Sequence, residues 1–310
     1  REAHRRALWP FGPLRRVDLV QSMIDQIDGG RRGAATFSRD VGLSDLPRRT
    51  VPLADRAIIF EHDDGRPAKA SVVVPLFNYE NYVVEALDSV AAQTLNDIEL
   101  IVVDDCSTDQ SGALVMEWMT RHRDRFRRMV LACHRENQGL GASRNTAFDL
   151  ADTLHVMTLD ADNRLLPGCC ERLLSIMDRE GAAFVYPTIR QFGDGSARMG
   201  EAPYRPAALI PGNYIDAMAL ISKEAWAAVG GCSTSRLGWE DYDLWCRFAE
   251  RGFHGVHASE VLAEYRVHQS SMLRTATDKQ KNKAALVEQM ERDHPWLNLV
   301  EQEGPRCPAS

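Results

Sequence analysis

Three scarcities narrow what this 310-residue chain can be. Its seven cysteines form no CxxC pair, and seven is an odd number. That argues against a disulfide framework and against a zinc site, and it fits a reducing cytosol. No apolar stretch approaches the ~18 residues of a membrane-spanning helix, and no secretory leader is recognisable. Basic residues are in deficit: the net charge is −7, whereas a nucleic-acid partner calls for a basic surface. Neither GxGxxG nor GxxxxGK[ST] occurs, so the two common Gly-rich phosphate motifs are absent. The expected location is the cytoplasm.

The charge is unevenly spread. Residues 1–50 hold ten Arg against six Asp or Glu, a net of +4 that leaves −11 for the rest. The pairs Arg5-Arg6, Arg15-Arg16, Arg31-Arg32 and Arg48-Arg49 read first as solvated helix ends and loops. A sharper reading is peripheral attraction to the inner face of a membrane or to a polyanionic acceptor. The chain starts with Arg1 rather than Met, which suggests a piece of a longer multidomain protein.

Residues 1–66 read as a helical and irregular extension. Val17, Val20, Met23, Ile24 and Ile27 recur at helical spacing before Gly29-Gly30, and a Pro-, Arg- and Gly-punctuated segment follows to Pro67. From residue 67 to about 275 the pattern alternates strand and helix. Val72-Val73-Val74 and Leu100-Ile101-Val102-Val103 are unbroken apolar runs, typical of strands buried on both faces. Further strands are expected at 130–132, 156–159 and 183–186, with strand-like pieces near 256–267. Pro75 is read as ending the first strand, Asn78 as capping the first helix, Thr108 or Asp109 as capping the second, and Pro167 as opening the fourth. Residues 276–310 are expected to hold a C-terminal helix, roughly 278–292, and a tail. The alternation specifies an α/β layer fold with a mostly parallel sheet, because parallel neighbours need crossover helices.

Ligands of such sheets bind beyond the carboxyl ends of the strands. The chemistry-bearing residues fall at those ends: Pro75 to Glu80 (including Phe77 and Asn78), Asp104-Asp105, His134 to Asn137, and Asp160 to Asn163. One nucleotide site would explain the coincidence. Asp160-Ala161-Asp162 after a buried strand suits a hard divalent cation, Mn²⁺ or Mg²⁺, shared with phosphate oxygens. Asp104 is placed to accept a hydrogen bond from a base or ribose, whereas Asp109 reads as a helix cap. The loop Gly139-Leu140-Gly141 to Arg144 either faces a phosphate or makes a tight helix entry. Glu240 and Asp241 open a helix; they either favour its dipole or supply a base beside an acceptor lying on Trp239. His268, in a polar loop, is a candidate third metal ligand or phosphate contact.

In this order, Val72-Val73-Val74-Pro75-Leu76-Phe77-Asn78, Val103 to Asp109, Asn137-Gln138-Gly139 through Arg144-Asn145, Asp160-Ala161-Asp162, Glu240-Asp241 and Tyr265-Arg266-Val267-His268 resemble the inverting, family 2 glycosyltransferases of GT-A fold. The resemblance covers about Ala70 to Met272 and says nothing of the first 66 residues. It implies a UDP-sugar donor and a saccharide, lipid-linked or other hydroxyl acceptor. Pro75 and Phe77 would line the uracil pocket, where Phe77 replaces the more usual Tyr. Asp104 would contact the base, Asp160 would lie near the ribose, Asp162 would hold the metal and His268 would touch metal or diphosphate. Asp241 would be the catalytic base, with Glu240 supporting it or binding acceptor. Ser143 stands where the family often has Ala. Two other readings stay open: a nucleotidyltransferase that makes a nucleotide sugar, and a non-catalytic nucleotide-sugar-binding module of a larger polysaccharide assembly.

Overall fold

A computed structural model of the protein describes residues 48–269 and 280–299. The helix expected around Val17 to Ile27, the first three arginine pairs, Met272 and Cys307 lie outside the described residues. In chain order the elements are β1 (Arg56–Asp63), β2 (Ala70–Leu76), α1 (Val83–Ala91), β3 (Ile98–Asp104), α2 (Ser111–His122), β4 (Arg128–His134), α3 (Leu140–Leu150), β5 (His155–Thr158), β6 (Arg164–Leu165), α4 (Cys169–Glu180), β7 (Phe184–Gly193), β8 (Arg198–Met199), β9 (Leu220–Ser222), α5 (Lys223–Val229), α6 (Glu240–Glu250), β10 (Gly255–Val267) and α7 (Gln280–Asp293).

One mixed sheet runs β1-β4-β3-β2-β5-β9-β7-β10-β6, with β8 attached to β7. Its centre, β4-β3-β2-β5, is parallel, as is the β7-β10 pair, while β9 joins the two halves through antiparallel pairing on both sides. The apolar runs explain this layering. Successive side chains alternate faces, so Val72, Val74, Leu100 and Val102 enter the core beneath α1, α2 and α4. Val73, Ile101 and Val103 enter the opposite core with α3, α5 and α6. No polar face exists on β2 or β3, and none was visible in their sequence.

Several local expectations are corrected. The stretch before Pro67 is not all irregular: Arg56–Asp63 is the sheet's edge strand, paired antiparallel to β4. Pro75 does not end β2, which continues to Leu76. Asn78 does not cap α1, whose N-cap is Tyr82; at φ 56° it turns away, and its Oδ1 accepts from the Thr108 N–H at 2.8 Å. The N-cap of α2 is Gln110, and Asp109 Oδ1 accepts from the Ser111 N–H at 2.9 Å, at the helix's first residue. Pro167 lies ahead of α4, its carbonyl accepting from the Thr94 N–H at 2.7 Å.

The C-terminal helix is fastened to α6 by charge. Past the end of α7, His294 is 2% exposed and bonds Glu250 through Nδ1 at 2.7 Å and Asp243 through Nε2 at 3.1 Å. Trp296 Nε1 donates to the same Glu250 carboxylate at 2.8 Å. Burial disfavours the imidazolium, but the two carboxylates outweigh that and push the His294 pKa up to about 9. A pKa raised on folding adds stability that is complete below the unfolded value, 6.5, and is lost as pH rises through about 9. His294→Gln should therefore cost about 1.5–3 kcal/mol for each charge-assisted bond lost. The deficit relative to wild type, read from urea melts, should shrink as pH climbs across that window. A deficit that does not change with pH would contradict the charged clasp.

Candidate active site

A cleft of about 920 Å³ opens at the carboxyl ends of the parallel strands. Pro75, Phe77, Asn78, Asp105, Gly139, Arg144, Asp160, Ala161, Asp162, Trp239, Glu240 and Asp241 all line it, although β2 and α6 lie far apart in sequence. Asp104 and Glu80 do not line it, and His268 stands just behind Asp162.

Backbone turns shape the rim. The three non-glycine residues with positive φ among the described residues are Asn78, Cys106 and Trp239. They fall at the end of β2, just past the end of β3 and at the mouth of α6, the last preceded by Gly238 at φ 104°. Such conformations persist only where surroundings hold them. Here the loops after β2 and β3 lace each other: the Asn78, Tyr79 and Glu80 N–H groups donate to Ser107, Ser111 and Asp109 side chains at 3.0, 2.9 and 3.0 Å. Glu80 in turn accepts from the Gln110 N–H at 2.9 Å. Asp104 Oδ1 accepts from the Ser107 N–H at 2.9 Å. Asp105 accepts from the Gln138 and Gly139 N–H groups at 2.8 and 2.7 Å and bonds His134 Nδ1 at 2.7 Å. Asp104 and Glu80 thus brace these loops from outside the cleft, whereas Asp105 braces them and also lines it.

Helix α3 reaches the opposite wall through a close approach. A Cβ on Gly141 would sit 1.8 Å from the Ser233 carbonyl oxygen, so only glycine fits there. Asn145 then pins the loop leading to α6, its Oδ1 accepting from the Cys232 N–H at 2.7 Å and its Nδ2 donating to the Cys232 carbonyl at 3.0 Å.

Arg144 projects from the same helix and is 3% exposed. Its Nη2 donates to Asp160 Oδ1 at 2.8 Å and its Nη1 to Glu240 Oε1 at 2.5 Å. One guanidinium thus joins the two acidic motifs. Burial opposes its charge, but the two carboxylates overcome that and hold it protonated more firmly than an ordinary arginine. Arg144 is thus a strut between the two acidic motifs, within the cleft's lining.

On one wall, Asp162 is 8% exposed and its Oδ2 lies 2.9 Å from His268 Nε2. Arg266, on the end of β10, donates from Nε to the Asp162 carbonyl at 2.9 Å, and its N–H donates to Asn163 at 2.8 Å. The end of β10 therefore sets His268 against Asp162. Burial, then the charge of Asp160, push the Asp162 carboxyl above its usual range despite His268. The Tyr82 ring packs 4.8 Å from the His268 ring. No three His, Cys, Asp or Glu side chains converge as a metal group among the described residues. Asp162 and His268 are a half-set of donors that fits Mn²⁺ or Mg²⁺ only together with phosphate oxygens, the usual arrangement for such ions.

On the other wall, half-buried Asp241 accepts from Asn213 Nδ2 at 2.9 Å. Burial first, then the neighbouring Glu240 charge, push its pKa up to about 7, with Arg144 pulling the other way. Asp243 points out of the cleft, to His294 and Arg247. Sequence reasoning missed Asn213, Asp216 and Arg236 and gave no individual role to Tyr79 or Tyr265; all five line the cleft.

A crossover sheet ending in one acid-walled cleft is the architecture of a GT-A-like domain. The Glycosyl transferase family 2 model matches residues 71–237, more than half of the chain, and the chain belongs to that family. It is 27% identical over 210 residues to the glycosyltransferase EpsE of Bacillus subtilis (strain 168), a match covering 66% of this chain and 74% of EpsE. It is 28% identical over 189 residues to the chondroitin synthase of Escherichia coli, covering 59% of this chain but only 26% of that longer protein. In fold it is similar to S. aureus TarS 1–349 in complex with UDP-GlcNAc, with a TM-score of 0.62, 18% identity, and coverage of 73% of this chain and 66% of that one. It is also similar to the mannosyltransferase PcManGT from Pyrobaculum calidifontis in complex with GDP-Man and Mn²⁺, with a TM-score of 0.52, 18% identity, and coverage of 89% and 73%. No helix among the described residues is long and apolar enough to cross a membrane.

Removing the strut should be costly. Arg144→Gln leaves buried Glu240 and half-buried Asp160 without their counter-charge, a loss of about 3–5 kcal/mol. Adding Glu240→Gln should recover part of it, because residues in one network couple. A single variant that melts like wild type would contradict the bridge.

Proposed function

We propose that the protein transfers a sugar from a UDP-sugar to an acceptor hydroxyl in a single inverting displacement, with Asp241 as the base. The observation that carries this reading is the Arg144 bridge. It fixes Asp160 and Glu240 to one guanidinium, leaving Asp162 on one wall of the cleft and Asp241 on the other. The acceptor is a saccharide or lipid-linked hydroxyl resting on Trp239, whose ring lines the cleft beside Asp241.

In this reading the uracil lies against Pro75 and the exposed Phe77, within the wall laced by Asp104, Asp105 and Asn78. Asp162 and His268 would hold a divalent cation shared with the diphosphate; bound there, it supplies positive charge to the leaving group. Asp241 takes the proton from the acceptor hydroxyl as its oxygen attacks the anomeric carbon. The bond from that carbon to the diphosphate oxygen breaks, and UDP departs from the opposite face. Asn213 orients Asp241 by donating to Oδ2. Glu240, held by Arg144, keeps a negative charge beside the base and raises its proton affinity toward the working pH. A carboxyl with a pKa of about 7 is a more effective base than an ordinary aspartate.

Two measurements test this assignment. Asp241→Asn should lower turnover about 10²–10⁴-fold while leaving UDP affinity nearly unchanged. For the wild type, kcat/KM should climb as pH rises through about 7, because only the ionised carboxylate accepts a proton. A variant with near-wild-type turnover, or a flat profile across that range, would rule out Asp241 as the base.

A further inference from the structure

The scheme above gives work to every acid of the cleft except one. Asp216 sits in the 200–219 connection between β8 and β9, in the segment Asn213-Tyr214-Ile215-Asp216-Ala217-Met218. It lines the cleft with Asp160, Asp162 and Asp241. Its backbone is held from both sides: Ile215 is 1% exposed in one core, Met218 is 0% exposed in the other, and Trp245 Nε1 donates to the Ile215 carbonyl at 2.9 Å. Oδ1 accepts from the Met218 N–H at 2.9 Å, and Asp216 forms no ion pair with a described residue.

Resting on the proposed reading, we infer that Asp216 accepts hydrogen bonds from hydroxyls of the transferred sugar and restricts the site to neutral sugars, rejecting uronates. The sugar must lie between the diphosphate at Asp162 and the base at Asp241, and Asp216 lines that same space. A half-buried carboxylate with an acceptor oxygen to spare seeks donors, and sugar hydroxyls supply them. Asp160 and Asp162 put negative charge nearby; burial and then Asp160 push the Asp216 pKa up to about 7, with Arg144 pulling the other way. A uronate carboxylate would meet Asp216 and Asp241, and the two arginines that line the cleft, Arg144 and Arg236, are already engaged. Both Arg144 Nη groups are held by Asp160 and Glu240. Arg236 donates to the Asn137 carbonyl on the nucleotide wall and packs against Gly139. Like charges set against a ligand are a common source of selectivity.

The test uses the full chain with Mn²⁺ and titrates UDP, UDP-glucose, UDP-galactose, UDP-N-acetylglucosamine and UDP-glucuronate by calorimetry. Wild type should bind at least one neutral UDP-sugar about tenfold more tightly than UDP-glucuronate. Asp216→Asn keeps the shape and the bond to Met218, so UDP affinity should hold while the neutral-over-uronate ratio collapses toward one. Asp216→Glu, which retains the charge, should restore much of that ratio. The proposal is overturned if Asp216→Asn leaves the ratio unchanged while UDP still binds, or if wild type takes UDP-glucuronate as tightly as the neutral sugars. Failure of UDP itself to bind wild type would instead remove the nucleotide reading, and this inference with it.

Discussion

The architecture of the cleft depends on a single buried guanidinium. Arg144 donates at 2.8 Å to the acid at the end of β5 and at 2.5 Å to the acid at the start of α6. Of these elements, β5 is a strand of the sheet and α6 a helix packed on one of the sheet's faces. A buried ion pair is weak evidence of net stability, since desolving three charges offsets much of their attraction. Its value here is geometric. The planar fork fixes where both carboxylates lie, which a lysine's point charge could not do.

Everything around the bridge serves to keep it taut. Gly141 lets α3 approach the 232–234 loop, and Asn145 ties that loop in place, so the face that carries Arg144 cannot drift from α6. Asp105 secures the entrance of α3 through two backbone N–H groups. Along α6, from Asp243 in its first turn to Glu250 at its end, the His294 clasp adds a second hold. A chain of local contacts thus runs from the C-terminal helix to the loops after β2 and β3, and Asp241, the proposed base, sits in the middle of it. Rigid support of this kind suits a reaction in which positioning and fixed charge lower the barrier.

The central sheet was readable in the sequence because β2 and β3 are apolar on both faces, and no other element gives unbroken β-branched runs. The strands β1, β6, β8 and β9 were not. They are short or half-polar and exist because a neighbour offers a ladder: β9 is three residues long between β5 and β7. Of the site, the two acidic motifs were legible by their place at a strand end and a helix start. The division of labour was not. Asp104, Asp105 and Arg144 have the composition of ligand-binding groups, and only their partners in space show that they also brace the cleft. Asp216 left no signal, because one acid in Asn-Tyr-Ile-Asp-Ala-Met reads as an ordinary turn. Family membership entails a sugar transfer.

The central claim is that Asp162 and Asp241 face each other across one bound diphosphate, held apart by the Arg144 strut. A crystal structure with UDP and Mn²⁺, phased to show the anomalous signal of manganese, tests it most directly. The account predicts a manganese peak touching Asp162 and His268 and a diphosphate oxygen, with Arg144 still joined to Asp160 and Glu240 and Asp241 open to the far side. A peak elsewhere, or UDP bound outside the cleft with Asp162 still closed on His268, would contradict it.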